Sequence, residues 1–73
     1  MTDNDPLPHF GANLRAAREQ RSLSQEALAQ RVGMDPAEIR RLESARRDPG
    51  VRVVTRLARG LGIPPADLLK GIR

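Results

Sequence analysis

The sequence contains no cysteine and a single histidine, His9. Without thiols the chain cannot form a disulfide framework or a cysteine-ligated metal site. It also lacks a serine with a plausible base beside it, a cluster of metal ligands and a phosphate-cradling glycine loop. Glu26 and Glu38 each stand at the amino end of an expected helix, where negative charge is favourable. We therefore predict that the protein is not an enzyme and has no catalytic residue, no metal and no cofactor.

Aromatic rings are nearly absent as well, since Phe10 is the single one among 73 residues. The core must then be built from leucine, valine, isoleucine and alanine, which suits packed short helices better than a sheet. A chain of this length supports one domain with a small core. We expect an all-α fold.

Long apolar runs are also missing. No stretch approaches the roughly 20 apolar residues that a membrane-spanning helix needs. The amino end does not carry a basic segment followed by an apolar one, which would indicate a secretory signal. The sequence therefore favours a cytoplasmic protein with no membrane partner.

Two short amphipathic helices joined by a tight turn occupy residues 25–44, at the centre of the sequence. Leu28 and Val32 stand four residues apart in the first helix. Ile39 and Leu42 stand three apart in the second. These spacings give each helix one apolar face.

Residues around the two helices carry start and stop signals. Ser24 can cap the first helix, and Gly33 suits the left-handed conformation that often ends one. Asp35 can cap the second helix and Pro36 fits its first turn. Glu38 stands three residues after Asp35, which completes a capping-box pattern.

The flanking segments give the remaining organisation. Residues 1–8 have two prolines and no periodicity and are predicted to be a flexible tail, so residues 9–73 form the domain. Further helices are expected over residues 9–20, from Gly50 to Leu61, and after Pro64. Their inward side chains should be Phe10, Leu14, Ala17, Val51, Val54, Leu57, Ala58, Leu61, Leu68 and Leu69.

The central pattern resembles the helix-turn-helix of the Cro/C1 repressor family, with a small residue, Ala29, at its fifth position and Gly33 at its ninth. The flanks FGANLRAAREQRSLSQEALAQRVG and RRDPGVRVVTRLARGLGIPPADLL also resemble that family. The resemblance implies a compact five-helix bundle of the lambda-repressor-like type that binds double-stranded DNA. Ser22 and Ala45 replace glycines that the family usually has, so we expect altered geometry at these two turns.

Helical angles indicate which side chains of the second helix face DNA. Successive residues are about 100° apart, so the direction opposite Ile39 and Leu42 is that of Ala37 and Ser44. Arg40 and Arg41 flank this outward face, which such a helix lays into the major groove. The resemblance implies that the base-reading positions are Pro36, Ala37 and Arg41, and Arg40 could reach a neighbouring base or a phosphate. Of these residues, only Arg41 has a side chain that can identify a base strongly, because its guanidinium matches the hydrogen-bond acceptors of guanine.

Other positions are predicted to contact the DNA backbone. The resemblance implies that Gln25, at the start of a helix, holds a phosphate. Ser44 lies on the outward face, and Arg46 and Arg47 follow the helix in the loop. Arg18 and Glu43 match a pair that the family uses internally, and we predict a structural ion pair.

Charge along the chain supports a polyanionic partner. Seven arginines and two acidic residues lie between Arg40 and Arg59, a net charge of +5 in a chain of formal charge +4. An exposed arginine-rich face with no ligand is the general alternative, but the adjoining motif favours nucleic acid.

The sequence thus predicts a small DNA-binding transcriptional regulator, a repressor or controller-type protein, associated with the nucleoid when bound. Val53 and Ile72 are apolar and lie off the core stripes, so we predict a homodimer through the carboxy-terminal part of the chain. The alternative is an antitoxin or another module whose principal partner is a protein.

Overall fold

The computed structural model describes residues 5–72, and the first four residues of the predicted tail lie outside the described residues. Four α-helices follow one another: α1 (Pro6–Gln20), α2 (Gln25–Val32), α3 (Pro36–Glu43) and α4 (Gly50–Leu61). A short 3-10 helix (Pro65–Leu68) comes after them. Over this part of the chain there is no β-strand, and the all-α prediction is confirmed.

The amino end of α1 differs from the prediction. The helix begins at Pro6, three residues before the expected His9. Asp5 caps it, because its carboxylate accepts a hydrogen bond of 3.0 Å from the backbone N–H of Leu7. A proline in the first turn fits, since the N–H groups there have no helical partner. Residues 5–8 therefore belong to the domain and not to a tail.

The carboxy-terminal end also differs, since the predicted fifth helix is one 3-10 turn. Pro64 and Pro65 open it, as expected. Gly71 adopts a φ of +80° only three residues after the turn ends, which leaves no room for a second helical turn. Asn13 of α1 holds this segment, because its side-chain amide donates to Leu68 O at 3.0 Å and to Lys70 O at 2.9 Å.

The core is a single cluster of apolar side chains, and no polar or charged residue is buried among the described ones. Its members are Phe10, Leu14, Ala17, Leu28, Ala29, Val32, Ile39, Leu42, Leu57, Ala58, Leu61 and Leu68. Two residues predicted to face inward are on the surface, Val51 at 80% and Leu69 at 43% exposure. Both lie at the ends of their elements, where no neighbouring helix covers them.

α1 and α3 approach closely at Gly11. A Cβ atom at this position would lie 2.6 Å from Glu43 O and 2.8 Å from Leu42 O, both backbone atoms. Only a residue without a side chain permits this contact. The carboxy-terminal end of α3 is therefore fixed against α1, which positions the residues described next.

Candidate nucleic-acid interface

The helices α2 and α3 have the predicted caps. Ser24 Oγ accepts from Ala27 N at 2.9 Å, and Asp35 Oδ1 accepts from Ala37 N at 2.8 Å. Gly33 ends α2 in the left-handed conformation, with φ of +71°. These local bonds set the direction in which α3 leaves the turn.

The outward face of α3 follows from its buried side chains. Ile39 and Leu42 are fully buried. Arg40 and Arg41 are exposed, and within residues 5–72 no carboxylate forms a salt bridge with either. Their guanidinium groups thus have no competing ion pair in the described part of the chain.

The other predicted DNA-contacting positions on α3 are less open. Pro36 and Ala37 are half-buried, although Ala37 was expected to point directly outward. Ser44 is exposed, but its hydroxyl donates to Arg40 O at 2.8 Å. That hydroxyl can accept a further hydrogen bond, whereas donating to a phosphate would require this bond to break.

Glu38 and Arg47 form an ion pair between α3 and the loop that follows it. The capping box predicted for Glu38 is therefore only half formed: Asp35 caps α3, but the Glu38 carboxylate turns to Arg47. Arg47 was predicted to hold a phosphate, and the structure gives its guanidinium an intramolecular anion instead.

Arg18, Glu43 and Gln25 form a network that joins three helices. Arg18 binds Glu43 through two hydrogen bonds, Nε to Oε2 at 2.6 Å and Nη2 to Oε1 at 3.0 Å. The side chains are only 11% and 6% exposed. The hydrogen bond that Arg18 donates to the Glu43 carboxylate raises the pKa of Arg18, so the guanidinium stays charged. Sequence analysis placed these two residues together, and the geometry is that of a bidentate pair.

Gln25 also contacts Glu43, which the sequence did not indicate. Its side-chain Nε2 donates to Glu43 Oε1 at 3.0 Å. An amide nitrogen carries two hydrogens, so one is left for another acceptor at the amino end of α2. The residue predicted to hold a phosphate is thus oriented by the largely shielded pair of Arg18 and Glu43.

An open cleft of about 760 Å³ lies beside this network, and we call it the basic cleft. It is formed by α1, the amino end of α2 and the carboxy-terminal end of α3. Its lining residues are Arg15, Arg18, Ser24, Gln25, Arg40, Glu43, Ser44 and Arg46. Arg46, predicted to contact a phosphate, lies here, and Arg15 is a member that sequence analysis missed.

A second cavity, of about 320 Å³ and almost wholly apolar, lies between the amino ends of α1 and α4 and the carboxy-terminal segment. We call it the apolar groove. The exposed Val51 and Leu69 line it. Of the two residues predicted at a dimer interface, Ile72 lines the groove and Val53 does not, and both pack partly against the core. Neither belongs to the buried cluster itself.

Ser22 and Ala45 both adopt the left-handed conformation, with φ of +55° and +61°. Each residue takes a backbone conformation that favours glycine. After α3, Arg46 N bonds Arg41 O at 2.8 Å and Ala45 N bonds Leu42 O at 3.3 Å, which closes the helix end around Ala45.

The sequence profile of the helix-turn-helix domain family matches residues 9–70. The chain belongs to this family. The family prediction is confirmed. None of the curated proteins compared with the helix-turn-helix domain matches it in sequence.

Solved structures similar to this helix-turn-helix domain are regulators and not enzymes. The restriction-modification controller protein C.AhdI from Aeromonas hydrophila is 35% identical, with a TM-score of 0.83 over 85% of this chain and 94% of that one. The hypothetical transcription factor NHTF from Neisseria is 28% identical, with a TM-score of 0.86 over 89% of this chain and 75% of that one. The clp gene regulator ClgR from C. glutamicum is 26% identical, with a TM-score of 0.81 over 85% and 80%.

Two further features concern the described residues of the helix-turn-helix domain. No group of three histidine or acidic side chains is placed to hold a metal ion there. Within residues 5–72, every helix is too short or too polar to cross a bilayer.

Proposed function

We propose that this helix-turn-helix domain is a sequence-specific, duplex-DNA-binding transcriptional regulator that inserts α3 into the major groove. The observation that supports this proposal best is the outward face of α3. Ile39 and Leu42 fix its rotation, and Arg40 and Arg41 project from the opposite side without salt-bridge partners among the described residues. Arg41 is the principal base-reading residue, since a guanidinium can bind guanine O6 and N7 together.

Contacts to the DNA backbone surround this face. The second amide hydrogen of Gln25 and the guanidinium of Arg46 would each bind a phosphate. Arg47 would bind the DNA backbone after its guanidinium exchanges the Glu38 carboxylate for a phosphate oxygen. This exchange is feasible because the two side chains are about one-third exposed. Pro36 and Ala37 offer only apolar contact, so DNA shape supplies part of the specificity.

The similarity to C.AhdI supports a regulator of the controller or repressor type, because the match covers 94% of that chain. Such a protein would act where the cellular DNA lies, in the cytoplasm.

Selection of bound duplexes from a random pool, at moderate salt, tests the proposal. The expected result is one enriched site that contains a guanine at a fixed position, bound at least about 1,000-fold more tightly than random sequence. Equal binding of the enriched and the random duplexes, with the same dependence on salt, would refute sequence-specific regulation.

We further propose that the regulator is a homodimer whose interface covers the apolar groove. The support is the exposed aliphatic surface of Val51 and Leu69 beside the half-buried Ile72. Two copies of α3 would then lie about 34 Å apart, one turn of DNA.

Sedimentation at tens of micromolar tests the dimer, with Val51→Lys expected to shift the protein to monomer. A parent protein that sediments only as an 8.1 kDa species, with and without DNA, would refute the homodimer. That result would favour the alternative in which a different protein occupies the groove, as in an antitoxin.

A further inference from the structure

Arg15 is a cation that the contacts proposed above do not use. It stands on α1 four residues after Gly11 and three before Arg18, so these three positions fall within about 60° on one side of the helix. Gly11 meets the last carbonyls of α3, and Arg18 pairs with Glu43 at the same end. Arg15 therefore faces the carboxy-terminal end of α3, which agrees with its place in the lining of the basic cleft.

The side chains that line the basic cleft have an excess of positive charge, which favours an anion. Four arginines line it, and Glu43 is the acidic lining residue. Because Glu43 is already bound by Arg18, the cations Arg15, Arg40 and Arg46 remain for a ligand.

One competing contact of Arg15 is weak. Its Nε lies 3.3 Å from Glu19 Oε2, with side chains 65% and 56% exposed. Exposed ion pairs of this kind contribute little free energy, so a phosphate can displace the Glu19 carboxylate from Arg15.

We propose that the basic cleft binds a backbone phosphate of the same duplex and that Arg15 thereby brings α1 into the DNA footprint. The proposal depends on the DNA binding proposed above and extends it to a helix outside the helix-turn-helix. The phosphate lies beside the one at Gln25, on the strand that runs past the amino end of α2. Its binding is electrostatic and carries no base preference.

The test measures affinity for the selected duplex as a function of salt concentration. Arg15→Gln should lower the slope of log affinity against log salt by about one unit and leave the base preference unchanged. Arg21→Gln is the matched control, an exposed arginine just past the end of α1 that does not line the cleft. It should keep the parent slope. Thermal melting of each variant verifies that it is folded.

Glu19→Gln provides a second measurement. Removing this carboxylate should raise affinity severalfold at low salt, and the gain should vanish when Arg15 is also glutamine. A neutral methylphosphonate can replace one phosphate at a time along the duplex. At one position this replacement should lower the affinity of the parent protein and leave the affinity of Arg15→Gln unchanged.

An unchanged slope in Arg15→Gln, with the parent binding its site, would refute this proposal and leave the proposed function intact. Loss of all site preference in the parent would instead refute the proposed function. Inorganic phosphate, added at constant ionic strength, separates two sources of the anion. If it binds the parent protein and not Arg15→Gln, yet leaves the affinity of the parent for the duplex unchanged, the cleft binds free phosphate, and the assignment to DNA is wrong.

Discussion

The pair between Arg18 and Glu43 gives the sharpest prediction about stability. Glu43→Ala would leave Arg18 as a charge that is only 11% exposed, without its bidentate partner. Breaking a fully buried pair costs about 3–5 kcal/mol, and the residual exposure lowers this to about 2–4 kcal/mol. Domains of this size unfold with only about 4–11 kcal/mol, so a large part of the stability would be lost.

Thermal unfolding followed by circular dichroism measures this loss. At roughly 4–8 °C for each kcal/mol, Glu43→Ala should lower the melting temperature by about 8–32 °C. Glu19→Ala is the matched control, because its pair with Arg15 is more than half exposed. It should change stability by less than about 1 kcal/mol.

Two results would contradict this reasoning. One is a melting temperature for Glu43→Ala within a few degrees of the parent. The other is a double-mutant cycle of Arg18 and Glu43 without coupling energy.

The raised pKa of Arg18 also has a consequence for pH dependence. A basic group whose pKa is raised on folding stabilises the folded state fully at any pH below its pKa in the unfolded chain. This stabilisation is lost only as the pH rises through its pKa in the folded protein. Arg18 should therefore contribute equally from about pH 6 to about pH 9.

Four further substitutions test the two turns, the contact between α1 and α3, and the DNA interface. Ser22→Gly and Ala45→Gly should each raise stability by about 0.5–1 kcal/mol, seen as a higher melting temperature, because glycine relieves a positive φ. Gly11→Ala should lower stability by about 1–3 kcal/mol, since its Cβ would lie 2.6 Å from a backbone oxygen of Glu43; a melting temperature at or above the parent's would be inconsistent with that packing. Arg41→Ala should lose about 1–3 kcal/mol of binding to the selected site and flatten preference at one base per half-site, measured by competition titration; binding of every site as tightly as the parent does would mean that the rotation of α3 is misassigned.

Local signals explain why the helix-turn-helix could be predicted residue by residue. The bounds of α2 and its caps depend on Ser24 and Gly33, whose effects act within a few residues. Asp35 fixes the start of α3 in the same way. The beginning of α1 was missed because Asp5 and Pro6 have the composition of a loop, although the same two residue types cap and open α3.

Contacts between distant residues explain the remaining differences. Helical periodicity gives the direction of Val51, but not whether another helix covers it, and it is 80% exposed. The partners of Glu38 and Gln25 depend on the path of the loop and on the packing of α1 against α3. Arg15 could have been found from the i, i+4, i+7 spacing of Gly11, Arg15 and Arg18, had Gly11 been recognised as a helix contact.

The clamp formed by Asn13 has a consequence for the order in which the domain opens. Asn13 holds carbonyls 55 and 57 residues away, whereas Arg18 and Glu43 are 25 residues apart. Closing the longer loop costs about 0.7 kcal/mol more in chain entropy. The two partly exposed hydrogen bonds of Asn13 offset this cost less than the largely shielded pair of Arg18 and Glu43 does. The carboxy-terminal segment should therefore detach first and exchange its amide hydrogens sooner than α2 and α3. Because this segment carries Leu69 and Ile72, one wall of the apolar groove exists only while the Asn13 hydrogen bonds are formed. A partner that binds the groove would therefore slow amide hydrogen exchange in this segment in proportion to the occupancy of the groove.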